Sequence, residues 1–92
     1  MKNAHCMIYG FIQGVGYRKW VKKEAQKLGV TGWIRNLPDG SVEALLQGTE
    51  DKQKQLITLC KKGPFLADVE KVDIVWEEEK EKLADFNLRH DF

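Results

Sequence analysis

One stretch, Gly10-Phe11-Ile12-Gln13-Gly14-Val15-Gly16-Tyr17-Arg18, sets the architecture of this chain. An apolar run, Cys6 to Ile12, leads into a turn in which Gly14 and Gly16 allow successive backbone N–H groups to point inward, as in an anion-binding nest. A helical pattern follows at once, and its start adds unpaired N–H groups and the positive end of the helix dipole. Arg18, in the first helical turn, adds a planar fork of permanent charge that suits phosphate. The stretch therefore predicts a phosphate-binding loop between a strand and a helix.

Hydrophobic periodicity divides the rest of the chain into strands and helices. A period of two runs from Ala4 to Phe11, and a helical stripe runs from Tyr17 to Leu28 with Gly29 as its stop. The later predicted elements are a strand over 30–35, a turn over 37–40, a strand over 41–47, a helix that Thr49 opens and Gly63-Pro64 ends, a strand over 69–76 with a bulge between Val69 and Val72, a solvated loop over 77–82, and a short edge strand holding Phe86, Leu88 and His90. This order predicts a ferredoxin-like α/β sandwich of the α+β class, with two helices on one face of a mixed, mainly antiparallel sheet. The pattern leaves open the strand order and the buried face of the first strand.

Length and composition restrict the class of protein. The 92 residues predict one domain over 1–92, and a composition of 42% hydrophobic and 32% charged residues is ordinary for a globular protein. A net charge of +1 favours neither a nucleic acid nor a membrane as partner, and no apolar run approaches the roughly 20 residues of a membrane helix. The first strand starts too close to Met1 to leave room for a signal peptide. Cys6 and Cys60 are expected to be buried hydrophobes rather than a disulfide, so the expected location is the cytoplasm.

Several chemistries are disfavoured by what the sequence lacks. Gly14-Val15-Gly16 has no third glycine for a dinucleotide fingerprint and no following Gly-Lys-Ser/Thr for an ATPase-type loop. The candidate metal ligands are single residues without metal spacing, namely His5, His90, Cys6 and Cys60. No serine or cysteine sits on a nucleophile elbow beside an obvious histidine partner. The sequence therefore predicts no metal, no cofactor and no covalent intermediate.

Two motifs in order carry a resemblance to a known family. The stretch from Gly10 to Arg18 resembles the first motif of the acylphosphatases, small enzymes that hydrolyse carboxyl-phosphate anhydrides. The second motif is matched by Gly32-Trp33-Ile34-Arg35-Asn36-Leu37-Pro38-Asp39-Gly40-Ser41-Val42, closing at Gly48. The likeness extends to Gly63-Pro64 and to Phe86-Asn87-Leu88-Arg89. It therefore covers nearly the whole chain.

The resemblance also carries departures and structural expectations. Ile12 and Tyr17 stand where the family usually has Val and Phe, and the Tyr17 hydroxyl is new, so it needs a partner or water. The family implies the strand order 4-1-3-2 with the fifth strand at an edge. It also implies which side chains of the first strand face the helices: Ala4, Cys6, Ile8 and Gly10. The open face of the sheet would then hold Met7, Tyr9 and Phe11.

The resemblance further implies a role for each site residue. Arg18 is implied as the phosphate-binding catalytic arginine, and Asn36 as the residue that holds the attacking water, since an amide oxygen accepts a hydrogen bond without bearing charge. Backbone N–H groups of one segment are implied as phosphate ligands: Gln13, Gly14, Val15, Gly16, Tyr17 and Arg18. The implied substrate is a small acyl phosphate, with inorganic phosphate or sulfate as competing anion. We expect a monomer that needs no cofactor and no metal.

The residues alone leave other interpretations open. An Asn before a Pro-Asp-Gly turn can be only a turn former, and the loop glycines only turn residues. An arginine in a first helical turn opposes the helix dipole, which argues against a purely structural Arg18. Ferredoxin-like sheets also bind RNA on aromatic side chains, but the basic-aromatic strand motif of those domains is absent. A non-catalytic binding or regulatory module therefore stays open. The resemblance adds a carbamoyl-phosphate-processing or regulatory module as a further alternative, because acylphosphatase-like domains also occur fused to larger enzymes.

Overall fold

The structure is a computed structural model that describes residues 2–90, so residue 1 and residues 91–92 of the predicted 1–92 domain lie outside the described part. Its elements are β1 (Lys2–Phe11), α1 (Tyr17–Leu28), β2 (Thr31–Asn36), β3 (Val42–Gln47), α2 (Glu50–Lys62), β4 (Asp68–Glu78) and β5 (Phe86–Arg89). The strands form one sheet in the order β4-β1-β3-β2-β5, in which β5 is parallel to β2 and the other neighbours are antiparallel. The predicted ferredoxin-like sandwich is confirmed, and so is the implied strand order.

The core lies between the two helices and one face of the sheet. Its largest fully buried members include Tyr17 and Val21 from α1, Leu56 from α2, and Ile8 and Ile34 from the sheet. Ala4 and Cys6 face the helices with Ile8, as the resemblance implied. Cys6 and Cys60 are buried free thiols, and burial raises the pKa of each to about 12. The prediction that they act as buried hydrophobes is confirmed. No helix within residues 2–90 is long and apolar enough to cross a membrane.

The ends of several strands differ from the prediction. β2, predicted over 30–35, runs over Thr31–Asn36. Glu77 and Glu78, predicted to lie in a loop, belong to β4, because β1 starts early enough to pair with them. The first strand ends one residue before Ile12. The last strand ends at Arg89, so His90 lies just beyond it.

The predicted bulge in β4 is confirmed. Tyr9 of β1 pairs with Lys71, and the next residue, Gly10, pairs with Val69, so Glu70 is the extra residue on β4. Such a bulge increases the local twist of a strand pair. It lies at the end of β1 that leads into the β1–α1 loop.

The open face of the sheet carries partly exposed apolar side chains and an ionic cluster. Phe11 is 65% and Val75 60% exposed. His5 lies 2.6 Å from Glu43 through Nε2 and 3.1 Å from Glu77 through Nδ1. Burial lowers the pKa of His5, but the hydrogen bonds to both carboxylates outweigh it and raise the pKa above its ordinary value. The cluster links β4, β1 and β3 on the face opposite the helices.

Candidate active site

The β1–α1 loop presents backbone donors because its two glycines adopt the left-handed conformation. Gly14 has φ 77° and Gly16 has φ 78°, a region that other residues enter only with strain. Gly16 is the N-cap of α1 and provides no side-chain cap. The first bond of the helix runs from the Trp20 N–H to the Gly16 carbonyl, at 3.1 Å. The N–H groups before Trp20 therefore have no partner within the helix and are available to an anion.

A cavity of about 260 Å³ lies at this helix start. The residues that line it are Ile12, Gly14, Gly16, Tyr17, Arg18, Lys19 and Asn36. The structure thus brings together five of the predicted site residues, and Arg18 meets Asn36 there although the two belong to different motifs. Gln13 and Val15 are not among the lining residues, and Val15 packs against the core. Ile12 and Lys19 are lining residues that the sequence did not assign to the site.

Gln13 has a structural function that the sequence did not reveal. Its side-chain amide donates to the carbonyl oxygens of Leu37, at 2.8 Å, and Ser41, at 2.9 Å. These carbonyls belong to the turn that joins β2 to β3, and the Leu37 N–H also donates to the Ser41 carbonyl, at 2.9 Å. Gln13 therefore ties the β1–α1 loop to the hairpin that carries Asn36. This contact fixes the two halves of the site relative to each other.

Arg18 is half-buried and is held by the end of β5. Its Nη1 donates to the carbonyl oxygen of Arg89 at 3.1 Å and lies 3.5 Å from Nδ1 of His90. The first turn of α1 contains no acidic residue. Within the described chain, the residues that line the cavity include the cations Arg18 and Lys19 and no carboxylate. The site is therefore electropositive, which matches a phosphate.

Asn36 is the last residue of β2, where the strand reaches the cavity. Its Oδ1 is buried and accepts no hydrogen bond from residues 2–90. A buried amide oxygen without a donor is costly, so such groups in native proteins are nearly always satisfied, by protein or by water. Asn36 thus brings to the wall of the cavity an amide whose oxygen has an unfilled capacity to accept a hydrogen bond.

The hydroxyl of Tyr17, which the sequence analysis expected to need a hydrogen-bond partner, has one in the protein. The ring is buried, and the hydroxyl donates to the carbonyl oxygen of Cys60 in α2, at 2.8 Å. Burial, with the neighbouring Cys60, raises the pKa of Tyr17 above its usual value, so the hydroxyl stays neutral. Because this hydroxyl is bound to α2, Tyr17 offers the cavity its backbone rather than an acid. Within residues 2–90, no group of three or more His, Cys, Asp or Glu could hold a metal ion.

Comparisons with known proteins identify the family of the chain. The sequence model of the acylphosphatase family matches residues 4–88. The chain belongs to the acylphosphatase family. It is 52% identical over 75 residues to the acylphosphatase of Thermococcus kodakarensis, which covers 82% of each chain. It is 46% identical over 91 residues to that of Thiobacillus denitrificans, covering 99% of this chain and 100% of the relative.

A solved acylphosphatase has the same fold. The crystal structure of acylphosphatase from Bacillus subtilis matches this structure with a TM-score of 0.94 at 29% identity, and the match covers 98% of this chain and 100% of that one. The predicted family and the predicted hydrolase class are both confirmed. The roles of individual residues need a separate argument.

Proposed function

We propose that this acylphosphatase cleaves the carboxyl-phosphate anhydride of acyl phosphates through Arg18, the loop N–H groups and Asn36, without a metal ion. One observation carries the proposal: Arg18 and Asn36 both line the cavity at the start of α1, which has no side-chain cap, and the buried Oδ1 of Asn36 has no donor within residues 2–90. The lining thus offers a cation, backbone donors and an amide oxygen as acceptor. Phosphoryl transfer requires little more than these, because it needs charge stabilisation and an aligned nucleophile.

The phosphate would be bound from two sides. Arg18 provides charge-assisted hydrogen bonds from its guanidinium. The backbone N–H groups of the loop and helix start provide the rest, above all those of the lining residues Gly14, Gly16, Tyr17 and Arg18. The N-terminal end of the α1 dipole favours the same negative charge. These donors are fixed before the substrate arrives, so they need little reorganisation as charge develops in the transition state. Inorganic phosphate and sulfate fit the same donors and should compete with the substrate.

The attacking water would be positioned by Asn36. Its Oδ1 accepts a hydrogen bond from one O–H of the water and leaves the water oxygen free to attack phosphorus. As the new P–O bond forms, the bond from phosphorus to the acyl oxygen breaks, and its electron pair leaves on the carboxylate. The water proton passes to a phosphate oxygen of the substrate. A carboxylate is a good leaving group, so this route needs neither a general acid nor a general base from the protein.

The substitution Asn36→Ala tests this division of labour. We expect kcat for benzoyl phosphate, measured with a chelator present, to fall by about 10²-fold, because the water is no longer aligned. The inhibition constant of inorganic phosphate should stay at the wild-type value, since the Arg18 side is intact. A loss of about 1 kcal/mol in the free energy of unfolding can accompany the change at a strand end. Asn87→Ala is the matched control, because Asn87 is an exposed strand asparagine outside the cavity lining.

Three outcomes would contradict the proposal. A near-normal kcat in Asn36→Ala would remove the water-holding role, and a parallel loss of phosphate affinity would assign Asn36 to the anion site. A wild-type protein without turnover in chelator, restored by magnesium or zinc, would refute the metal-free mechanism. The monomeric state and the cytoplasmic location stay predictions.

A further inference from the structure

The guanidinium of Arg18 is held by a part of the fold far from its own helix in sequence. Arg89 and His90, at the end of β5, both approach Nη1, the first through its carbonyl at 3.1 Å and the second through Nδ1 at 3.5 Å. An Nη1 group carries two N–H donors, so these two acceptors can occupy both. The donors that remain are Nε–H and the two on Nη2.

We propose that the end of β5 is a positioning device for Arg18, with His90 as a positioning residue that directs the Nε–Nη2 edge of the guanidinium toward the phosphate. This inference rests on the proposed phosphate role of Arg18. That edge is a two-donor fork that matches two phosphate oxygens. A long side chain also loses rotamer freedom when it binds a ligand, and holding it in advance lowers that cost.

The imidazole of His90 performs this function only in its neutral form. Neutral His90 accepts at Nδ1 when the hydrogen is on Nε2, whereas a protonated ring donates at both nitrogens and accepts at neither. Protonation therefore replaces an acceptor with a positive charge next to Arg18. Among the described residues, the cations placed at this end of β5 are Arg18, Arg89 of β5 itself, and Arg35, which pairs with Arg89 in register and is bound to Glu43. None of the three cations offsets that charge.

Sulfate binding by His90 variants at about pH 8 tests the proposal. His90→Ala should weaken sulfate binding by about three- to tenfold, the usual effect of one lost hydrogen bond. His90→Asn should bind like the wild type, because Asn Oδ1 can accept at the position of Nδ1.

The second histidine of the chain provides the matched control. His5 is engaged by Glu43 and Glu77 on the open sheet face and does not line the cavity. His5→Gln should therefore bind sulfate like the wild type. His90 is exposed, so its variants should keep the wild-type far-UV circular dichroism.

The experiment separates this inference from the function on which it rests. If Arg18→Gln loses sulfate while His90→Ala binds it like the wild type, the positioning role is wrong and the phosphate role of Arg18 stands. A His90→Asn protein that binds sulfate as weakly as His90→Ala also overturns the positioning role. If Arg18→Gln itself binds sulfate normally, the proposed function is wrong, and the positioning role is wrong with it. Weaker binding by His90→Ala, restored in His90→Asn, is the expected result.

Discussion

The two helices of this protein begin in opposite ways. α2 has a side-chain cap, because Thr49 Oγ1 accepts from the Lys52 N–H at 3.3 Å, and it carries Glu50 and Asp51 in its first turn. α1 begins at Gly16, which provides no side-chain cap, and its first turn contains no acidic residue. By the ordinary rules of capping and helix dipoles, the start of α2 is stabilising and the start of α1 is not.

A position-by-position match makes the contrast sharper. The second residue of α1 is Arg18, and the second residue of α2 is Asp51. A cation in a first turn is unfavourable by about 0.3–1 kcal/mol, an amount similar to what an acid contributes there. α1 thus lacks local stabilisation at its start, where Gly16, Tyr17 and Arg18 line the cavity. A phosphate bound there as proposed would supply the missing negative charge.

Arg18→Gln should produce the largest effect. Removing a preorganised charge-assisted donor lowers catalysis by about 10²–10³-fold, and we expect that loss in kcat/KM for benzoyl phosphate. Lys22→Gln is the control, since Lys22 lies one turn further along α1, outside the cavity lining. It should keep most of the activity. An Arg18→Gln protein with native far-UV circular dichroism and activity within about tenfold of wild type would contradict the role of Arg18.

Thr49→Ala should lower stability and leave activity unchanged, the opposite of what we expect for Arg18→Gln. It removes the side-chain cap of α2 and should lower the free energy of unfolding by about 1 kcal/mol. The cavity lining contains no residue of α2, so kcat/KM should stay at the wild-type value. Urea denaturation and a benzoyl phosphate assay on the same protein check both parts. A fall in kcat/KM as large as the one in Arg18→Gln would mean that the two helix starts are not functionally distinct.

What the sequence could predict depends on how local the information is. The left-handed glycines, the helix start and Arg18 lie within a few residues of one another, so the nest could be inferred from their spacing. The hairpin that carries Asn36 could be inferred in the same way, from neighbouring residues. The proximity of Asn36 to Arg18 could not be inferred from neighbouring residues, and it followed only from the family resemblance.

The remaining features of the site depend on tertiary structure. Arg18 and Arg89 are 71 residues apart, and they meet because β5 adds to the sheet parallel to β2. No local pattern in the sequence encodes that pairing. The Gln13 side chain likewise bonds to carbonyls 24 and 28 residues away, and any residue type offers the same carbonyls. The end of β4 was predicted wrongly for a similar reason. The charged sequence around Glu77 and Glu78 is typical of a solvated loop, and only the pairing with β1 makes these two residues part of the strand.

The smallest predicted effect uses the third residue of each helix, which is a lysine in both. Lys19 of α1 is exposed and lines the cavity, whereas Lys52 of α2 is exposed and does not. An exposed charge near a ligand contributes about 0.2–1 kcal/mol, so Lys19→Gln should lower kcat/KM by about two- to threefold at low salt. Added salt should remove most of that difference, because it screens exposed charges.

Lys52→Gln is the matched variant, because it removes the same charge from the same position of the other helix. We expect its kcat/KM to equal that of the wild type at every salt concentration. If both variants lose activity equally, the net charge of the protein attracts the substrate and the position of Lys19 is irrelevant. If Lys19→Gln alone loses activity at low salt, the positive field at the start of α1 extends beyond Arg18 to the next residue. Comparing kcat/KM of the two variants at low and high salt therefore measures whether residues of α1 beyond Arg18 contribute to substrate binding through their charge.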